Sequence, residues 1–160
     1  MLELTYMGKN VEKLKVIGLF GNDLRKVLHE AIFFPHPEYN TGTLKVDEPA
    51  AINRDSIIDV TGNITIGKNS MISDNTRIYT HEHYLEGHDI LLNVQAIKGV
   101  KWLDKKIGSD VWINANTIVL MKCNEISDGV FIGAGSIVTK PILEPYTIWA
   151  GNPAKKIGNR

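Results

Sequence analysis

The sequence holds a single cysteine, Cys123, no uninterrupted apolar run approaching the twenty or so residues of a membrane helix, and no excess of either charge. One cysteine excludes an internal disulfide, and Cys123 reads as a small buried hydrophobe with no assigned role. Eighteen Lys and Arg side chains balance eighteen Asp and Glu. No overall field therefore draws the chain to nucleic acid or an anionic membrane surface, and any anion site has to be local. The start, MLELTYMGKNVEKLKV, lacks the apolar core and small-residue cleavage site of a secretory signal. The expectation is a soluble, cytoplasmic protein, and 160 residues suit one domain with a substantial core.

What the chain does have is a period. Val60, Ile66, Ile72 and Ile78 lie six residues apart, with Ile64, Ser70 and Thr76 four places after the first three. A second array runs Ile107, Ile113, Val119 and, after one extra residue, Ile126, Ile132, Val138; Val111, Thr117, Cys123, Val130 and Ser136 fill its intermediate slots. A helix needs apolar steps of three and four, and a plain amphipathic strand needs steps of two. A step of six fits a triangular solenoid, in which each hexad gives a short strand and a turn, three hexads close a coil, and coils stack about 4.8 Å apart. Gly67-Lys68-Asn69, Asp74-Asn75, Gly108-Ser109-Asp110 and Asp128-Gly129 supply the Gly, Asn and Asp that corners need.

Outside the arrays, residues 11–20 and 22–34 read as helical segments. Leu24, Val27, Leu28 and Ala31 or Ile32 form a stripe, Asn22 is a cap, and Pro35 and Pro37 are stops. The domain reading is thus an amino-terminal helical or irregular segment, 1–57, packed on a solenoid over 58–157. An excursion at about 84–106 breaks the period, too long a stretch for an idle connection.

The repeats, the run Ile132-Gly133-Ala134-Gly135-Ser136-Ile137-Val138-Thr139-Lys140-Pro141 and the closing Tyr146-Thr147-Ile148-Trp149-Ala150-Gly151-Asn152-Pro153-Ala154-Lys155-Lys156-Ile157 together resemble the hexapeptide-repeat acyltransferases. Their branch is the maltose, galactoside and xenobiotic O-acetyltransferases. The resemblance implies a left-handed parallel β-helix, a homotrimer, and acetyl transfer from acetyl-coenzyme A, as co-substrate, to a hydroxyl of a small molecule or sugar. It also implies that the excursion reaches a neighbouring subunit. Gly133, Ala134 and Gly135 would clear a groove for the pantetheine arm. By the same resemblance the donor-binding residues are Asn114, Ala115, Ala134, Thr139, Lys140 and Lys155, the lysines meeting the phosphates with Lys156 and Arg160 nearby. Trp112 and Asn53 are the candidates for contacting the acceptor.

Where the first array stops, IYTHEHYLEGH places His81, His83 and His88 within eight residues. They could be metal ligands, a base with bystanders, or a polar loop. A zinc site like that of the gamma-type carbonic anhydrases lacks its long-range histidine, because no histidine lies between His36 and His81. No metal is expected. The family's IYTxxHPLD motif is similar to IYTHEHYLE and puts the catalytic histidine at His83, with Tyr84 and Glu86 replacing a proline and an aspartate. An imidazole, with a reference pKa of about 6.5, suits removal of a hydroxyl proton near neutrality. His81 is the competitor, and Glu82 is an orienting carboxylate or a solvated one. N-acetylation of an amino sugar, a zinc lyase and a non-catalytic trimeric scaffold stand as alternatives.

Overall fold

The computed structural model describes residues 42–85 and 99–160 in full, together with the backbone of the strands Leu4–Tyr6, Lys9–Val11, Lys15–Ile17 and Ile32–Phe34. Short parallel strands wind around a triangle. The first face stacks Lys15–Ile17, Thr43–Val46, Ile64–Ile66, Lys105–Ile107 and Glu125–Ile126. The second stacks Ala51–Ile52, Met71–Ile72, Trp112–Ile113, Phe131–Ile132 and Thr147–Gly151. The third stacks Ile32–Phe34, Ile57–Asp59, Arg77–Ile78, Ile118–Val119 and Ile137–Val138. Ala154–Asn159 folds back antiparallel on Thr147–Gly151 and closes the second face.

Each face contributes one column of aliphatics to the interior. The columns are Val46, Ile66, Ile107 and Ile126; Ile52, Ile72, Ile113 and Ile132; and Ile58, Ile78, Val119 and Val138, none more than 1% exposed. β-Branched side chains suit this role because they are stiff and fill a pleated surface. The intermediate slots are buried too, and their small polar members have partners: Ser70 Oγ donates to Gly108 O at 2.9 Å and Thr76 Oγ1 to Asn114 O at 3.2 Å. A hydroxyl that bonds the next coil's carbonyl avoids the cost of an unpaired polar group in the core.

Two corners are built alike. Asn69, Asp110, Gly129 and Tyr146 turn the first into the second face with φ of 62, 56, 69 and 54°, and Asp55, Asn75, Asn116 and Gly135 turn the second into the third with φ of 57, 54, 60 and 69°. Most are Asn, Asp or Gly, which tolerate the left-handed region. Asn69, Asn75, Asp110, Asn116, Gly129, Gly135 and Tyr146 also donate their N–H to the coil before, as Asn75 to Arg54 O and Asn116 to Asp74 O. These two corners hold the six-residue step, whereas the third corner absorbs every change of length within the two arrays. From third to first face the inward residues are eight apart at Ile58 to Ile66, twenty-nine at Ile78 to Ile107 and seven at Val119 to Ile126.

Several expectations change. Ile58, not Val60, stands in register with Ile78, and Val60 is buried at the third corner. The extra two residues before Ile66 shift the first hexad, which is why counting by six landed on Val60. The solenoid also begins before residue 58, since Thr43–Val46 and Ala51–Ile52 already pair with the coil above. Lys15–Ile17 and Ile32–Phe34, placed in helices by their apolar spacing, are strands paired parallel with Thr43–Val46 and Ile57–Asp59. Stacking on an existing sheet outweighs helix propensity there; Val11 ends the strand Lys9–Val11, and the rest of the helical expectation, within 12–14 and 18–31, lies outside the described residues. The excursion leaves earlier than Tyr84: His81–His83 pairs antiparallel with Val100–Trp102 as a two-stranded ribbon, and Lys105–Ile107 is already back in the first face.

Lys105 is the unexpected core residue. It is 2% exposed, in register with Ile64, and its Nζ donates to Leu120 O at 3.1 Å and to Cys123 O. The one-residue insertion at Leu120–Asn124 turns those carbonyls inward, and the ammonium satisfies them. Burial lowers the Lys105 ammonium to about 8, against the opposing pull of Cys123 and Asp59.

Candidate active site

The third corner gathers the chemistry. Asp59 ends its strand with a carboxylate that is completely buried. Thr61 N and Thr61 Oγ1 donate to Oδ1 at 3.0 and 2.6 Å. Thr80 N, His81 N and His81 Nδ1 lie at 2.7, 2.9 and 2.7 Å from Oδ2. Thr80 Oγ1 closes the corner by donating to Asp59 O and accepting from Gly62 N, both at 3.0 Å. Burial pushes the carboxyl upward, but the hydrogen bonds from His81 and Thr61 and the charge of the imidazole outweigh it and hold Asp59 at about 2. An ionised carboxylate only accepts, so His81 Nδ1 is the donor and Nε2 is left as the ring's other nitrogen.

His81 and His83, two apart on one strand, share a face of the ribbon. Their rings meet edge to face, with centroids 5.8 Å apart and planes at 82°. Both are half-buried. Glu82 faces the other way, 3.0 Å from Lys101 Nζ, which also stands 5.5 Å over the Tyr84 ring. Glu82, an orienting or a solvated carboxylate by sequence, pairs with Lys101, and the carboxylate bonded to an imidazole is Asp59. Asp59, Thr61 and Thr80 are not among the candidate site residues read from the sequence. A signal existed: an aspartate in IIDVTG where the six-residue step breaks.

The donor-binding candidates lie elsewhere. Asn114 and Ala115, half-buried, and Ala134, exposed, stand at the second corner. Asn114 directs both its backbone N and its side-chain Nδ2 to Ile132 O, at 3.0 and 2.9 Å, so that amide group ties coil to coil. Gly133 and Gly135 differ in purpose. A Cβ on Gly133 would come 3.2 Å from Ala150 Cβ, so its bareness admits the closing hairpin, whereas Gly135 opens onto space with nothing within 4 Å. Asn53 precedes the same corner two coils below Asn114, its N bonded to Ile72 O at 2.8 Å. Trp112 points outward from the second face, 41% exposed, edge to face with Phe131 at 5.4 Å and donating from Nε1 to Ser73 Oγ at 3.0 Å.

The basic tail divides into two groups. Thr139 is half-buried and Lys140 exposed, with Lys140 Nζ 5.9 Å over the Trp149 ring; Lys155 is exposed on the closing hairpin opposite Ala150. Lys156 is already paired with Glu144 at 2.6 Å. Arg160 donates to Asp110 O and Gly129 O, both at 2.9 Å, and lies 3.2 Å from the Asp110 carboxylate. Its work is to pin the end of the chain to the first corner. Lys140 and Lys155 are both exposed, and among the described residues no ion pair to a carboxylate is seen at either. His88 lies outside the described residues, and among the described residues no three His, Cys, Asp or Glu gather as a metal site. Among them, too, no helix is long and apolar enough to cross a membrane.

No family model matches the chain. Over 54 residues it is 52% identical to a chloramphenicol acetyltransferase of Klebsiella aerogenes, covering 34% of this chain and 25% of that one. Over 57 residues it is 49% identical to a probable macrolide acetyltransferase of Lysinibacillus sphaericus, covering 36% and 31%. The matched part thus spans about a quarter to a third of the length of these relatives. In three dimensions the chain is similar to a maltose O-acetyltransferase from Clostridium difficile, with 28% identity, 93% of this chain and 72% of that one covered, and a TM-score of 0.68. A hexapeptide-repeat acetyltransferase from Vibrio cholerae, complexed with acetyl coenzyme A, shares the fold at 20% identity and a TM-score of 0.69, covering 93% and 73%. The repeat, the three parallel faces and these likenesses give the chain the left-handed parallel β-helix of the hexapeptide-repeat acetyltransferases it resembles.

Proposed function

We infer that the protein transfers an acetyl group from acetyl-coenzyme A to a hydroxyl of a small molecule or sugar, with His83 as the general base. The observation that carries this reading is the imidazole pair at the third corner, held over a buried carboxylate at the one edge of the solenoid where the six-residue step gives way. An imidazole half-open to solvent removes a hydroxyl proton near neutral pH without metal or covalent intermediate. The relatives named as chloramphenicol, macrolide and maltose acetyltransferases support this class of acceptor.

Coenzyme A fits the second corner on this chain's own geometry. Gly135 leaves the corner clear, Ala134 adds only a methyl group, and Lys140 and Lys155 are exposed beyond it. Ala115, Asn114 and Thr139 would line the arm, and the two lysines would meet phosphates. The bound donor supplies the thioester acetyl group. The residues of the chain hold it, exclude bulk and accept the hydroxyl proton.

The base and the donor groove lie at different corners of one chain, and a homotrimer brings such corners together. The outer surfaces favour that assembly. In register on the second face stand Met71, Trp112, Phe131 and Ile148, and on the third Ile57, Arg77, Ile118 and Ile137. The first face presents Lys45, Thr65, Lys106 and Glu125, with an ion pair of 3.0 Å between the last two. These two largely apolar faces, interrupted by Arg77 on the third, are surfaces on which subunits can pack. In this assembly Trp112 and Asn53 would line the acceptor site.

The test is a coenzyme A release screen against chloramphenicol, macrolides, maltose and galactosides, with sedimentation of the free protein. Acetyl-coenzyme A turnover with at least one hydroxyl acceptor by a three-chain particle is expected. No binding of coenzyme A and no turnover across the panel would refute the reading.

A further inference from the structure

We propose that Asp59 and His81 are a positioning pair for the base: the buried carboxylate fixes the His81 ring, and that ring fixes the orientation of the His83 imidazole. The proposal rests on the reading of His83 as the base. It starts from an arrangement that a merely polar loop does not need. A single aspartate, wholly buried, gathers three backbone N–H groups, one hydroxyl and one imidazole at 2.6 to 3.0 Å. Such a carboxylate has no freedom left. The residue it holds is tied through both main chain and ring, since the His81 backbone N and Nδ1 bond the same oxygen. Thr61 Oγ1, 3.2 Å from Nδ1, adds a third contact.

The immobile ring then acts on its neighbour. His83 has the same outlook two residues along the strand, and its ring meets His81 edge to face at 82°. That geometry is the favourable one for two rings and is lost when either ring turns. Orientation matters to a base because misplacement by about 1 Å can cost about a hundredfold in rate. The two extra residues between Ile58 and Ile66 make the corner that carries Thr61 and seats His81.

The experiment compares His83→Ala, His81→Ala, His81→Phe and Asp59→Asn, reading steady-state turnover of acetyl-coenzyme A with chloramphenicol and maltose as acceptors. Side-chain 15N NMR of the ligand-free protein, and its melting point, are read alongside. Loss of turnover in His83→Ala is expected from the reading. His81→Ala should lower kcat about tenfold to a hundredfold with KM for acetyl-coenzyme A unchanged. His81→Phe should recover part of kcat, because the ring wall remains. In the NMR spectra the His81 Nδ1 proton should persist in His83→Ala and vanish in Asp59→Asn, and the His83 ring should become mobile in His81→Ala. If Asp59→Asn does not fold, the two His81 variants carry the test. Wild-type kcat and an ordered His83 ring in His81→Ala, with His83→Ala inactive, would overturn the proposal and leave the reading intact. An active His83→Ala, with His81→Phe as dead as His81→Ala, would overturn both and make His81 the base.

Discussion

One oxygen of Asp59, Oδ2, accepts from both the backbone N and the imidazole Nδ1 of His81, at 2.9 and 2.7 Å. The first bond fixes where the chain leaves the solenoid, and the second fixes which way the first ring of the ribbon faces. Structure and chemistry are therefore coupled at one buried atom.

This coupling has a pH signature. The folded-state pKa of Asp59, about 2, is below its ordinary 3.8, so its contribution is complete above about pH 4 and is lost as pH falls through 2. The shift corresponds to about 2 kcal/mol. Urea unfolding should show this loss in the wild type and not in Asp59→Asn. At neutral pH the variant should be destabilised by about 2 to 4 kcal/mol, because its donors lose an ionised acceptor. An unchanged acid limb in Asp59→Asn would assign the loss to other groups.

Lys105 makes an opposite prediction. Its folded pKa, about 8, is below 10.5, so the unfolded chain holds more protons between those values and stability rises with pH there. Burial pushes the Cys123 thiol up to about 11, with the Lys105 charge opposing, so its contribution falls between pH 9 and 11. The two together predict a rising denaturation midpoint from pH 8 to 9 and near cancellation above. Cys123→Ala should let the rise continue toward 10.5. Lys105→Met should abolish the rise, leave the Cys123 decline uncancelled above pH 9, and cost about 1 to 3 kcal/mol by leaving Leu120 O and Cys123 O unpaired.

Two corner glycines with the same φ should differ in tolerance. Gly129 and Gly135 both sit at +69°, but a Cβ on Gly129 would strike the Tyr146 ring and one on Gly135 meets nothing. Gly135→Ala should cost about 1 kcal/mol, the left-handed penalty alone. Gly129→Ala should cost distinctly more, since the ring packs beneath the corner that Arg160 also holds. Thermal melts of the two variants settle the comparison, and equal shifts would contradict the packing argument.

The lysines separate in the same manner. Lys140→Ala and Lys155→Ala should each raise the KM for acetyl-coenzyme A several-fold with little change in melting point, each having lost a charge-assisted contact to phosphate. Arg160→Ala should do the reverse, lowering the melting point through Asp110 and Gly129 and sparing KM. Equal effects on KM would return Arg160 to the donor site.

The solenoid was legible because its cause is periodic. One inward aliphatic per hexad leaves a mark that counting detects, and Ile66, Ile72, Ile78, Ile107, Ile113, Val119, Ile126, Ile132 and Val138 all fell where counted. What counting missed lies where the period fails. Val60 was chosen over Ile58 because the corner between Ile58 and Ile66 holds two extra residues, and Asp59 went unnoticed for the same reason. Lys105 was invisible because a charged residue in a strand reads as outward until the carbonyls of a bulged corner give it a partner. At the amino terminus, the apolar spacing near Lys15–Ile17 and Ile32–Phe34 suited a helix, and only the sheet they extend decided otherwise. His83 was placed by likeness of motif, and its neighbour's anchor came from the fold.

The most direct test of the account is turnover and coenzyme A binding measured side by side for the wild type and His83→Ala, by coenzyme A release and by calorimetric titration. The account predicts that His83→Ala loses turnover by at least about a thousandfold while its affinity for coenzyme A and its melting point stay at wild-type values. Full turnover in that variant would contradict the central claim.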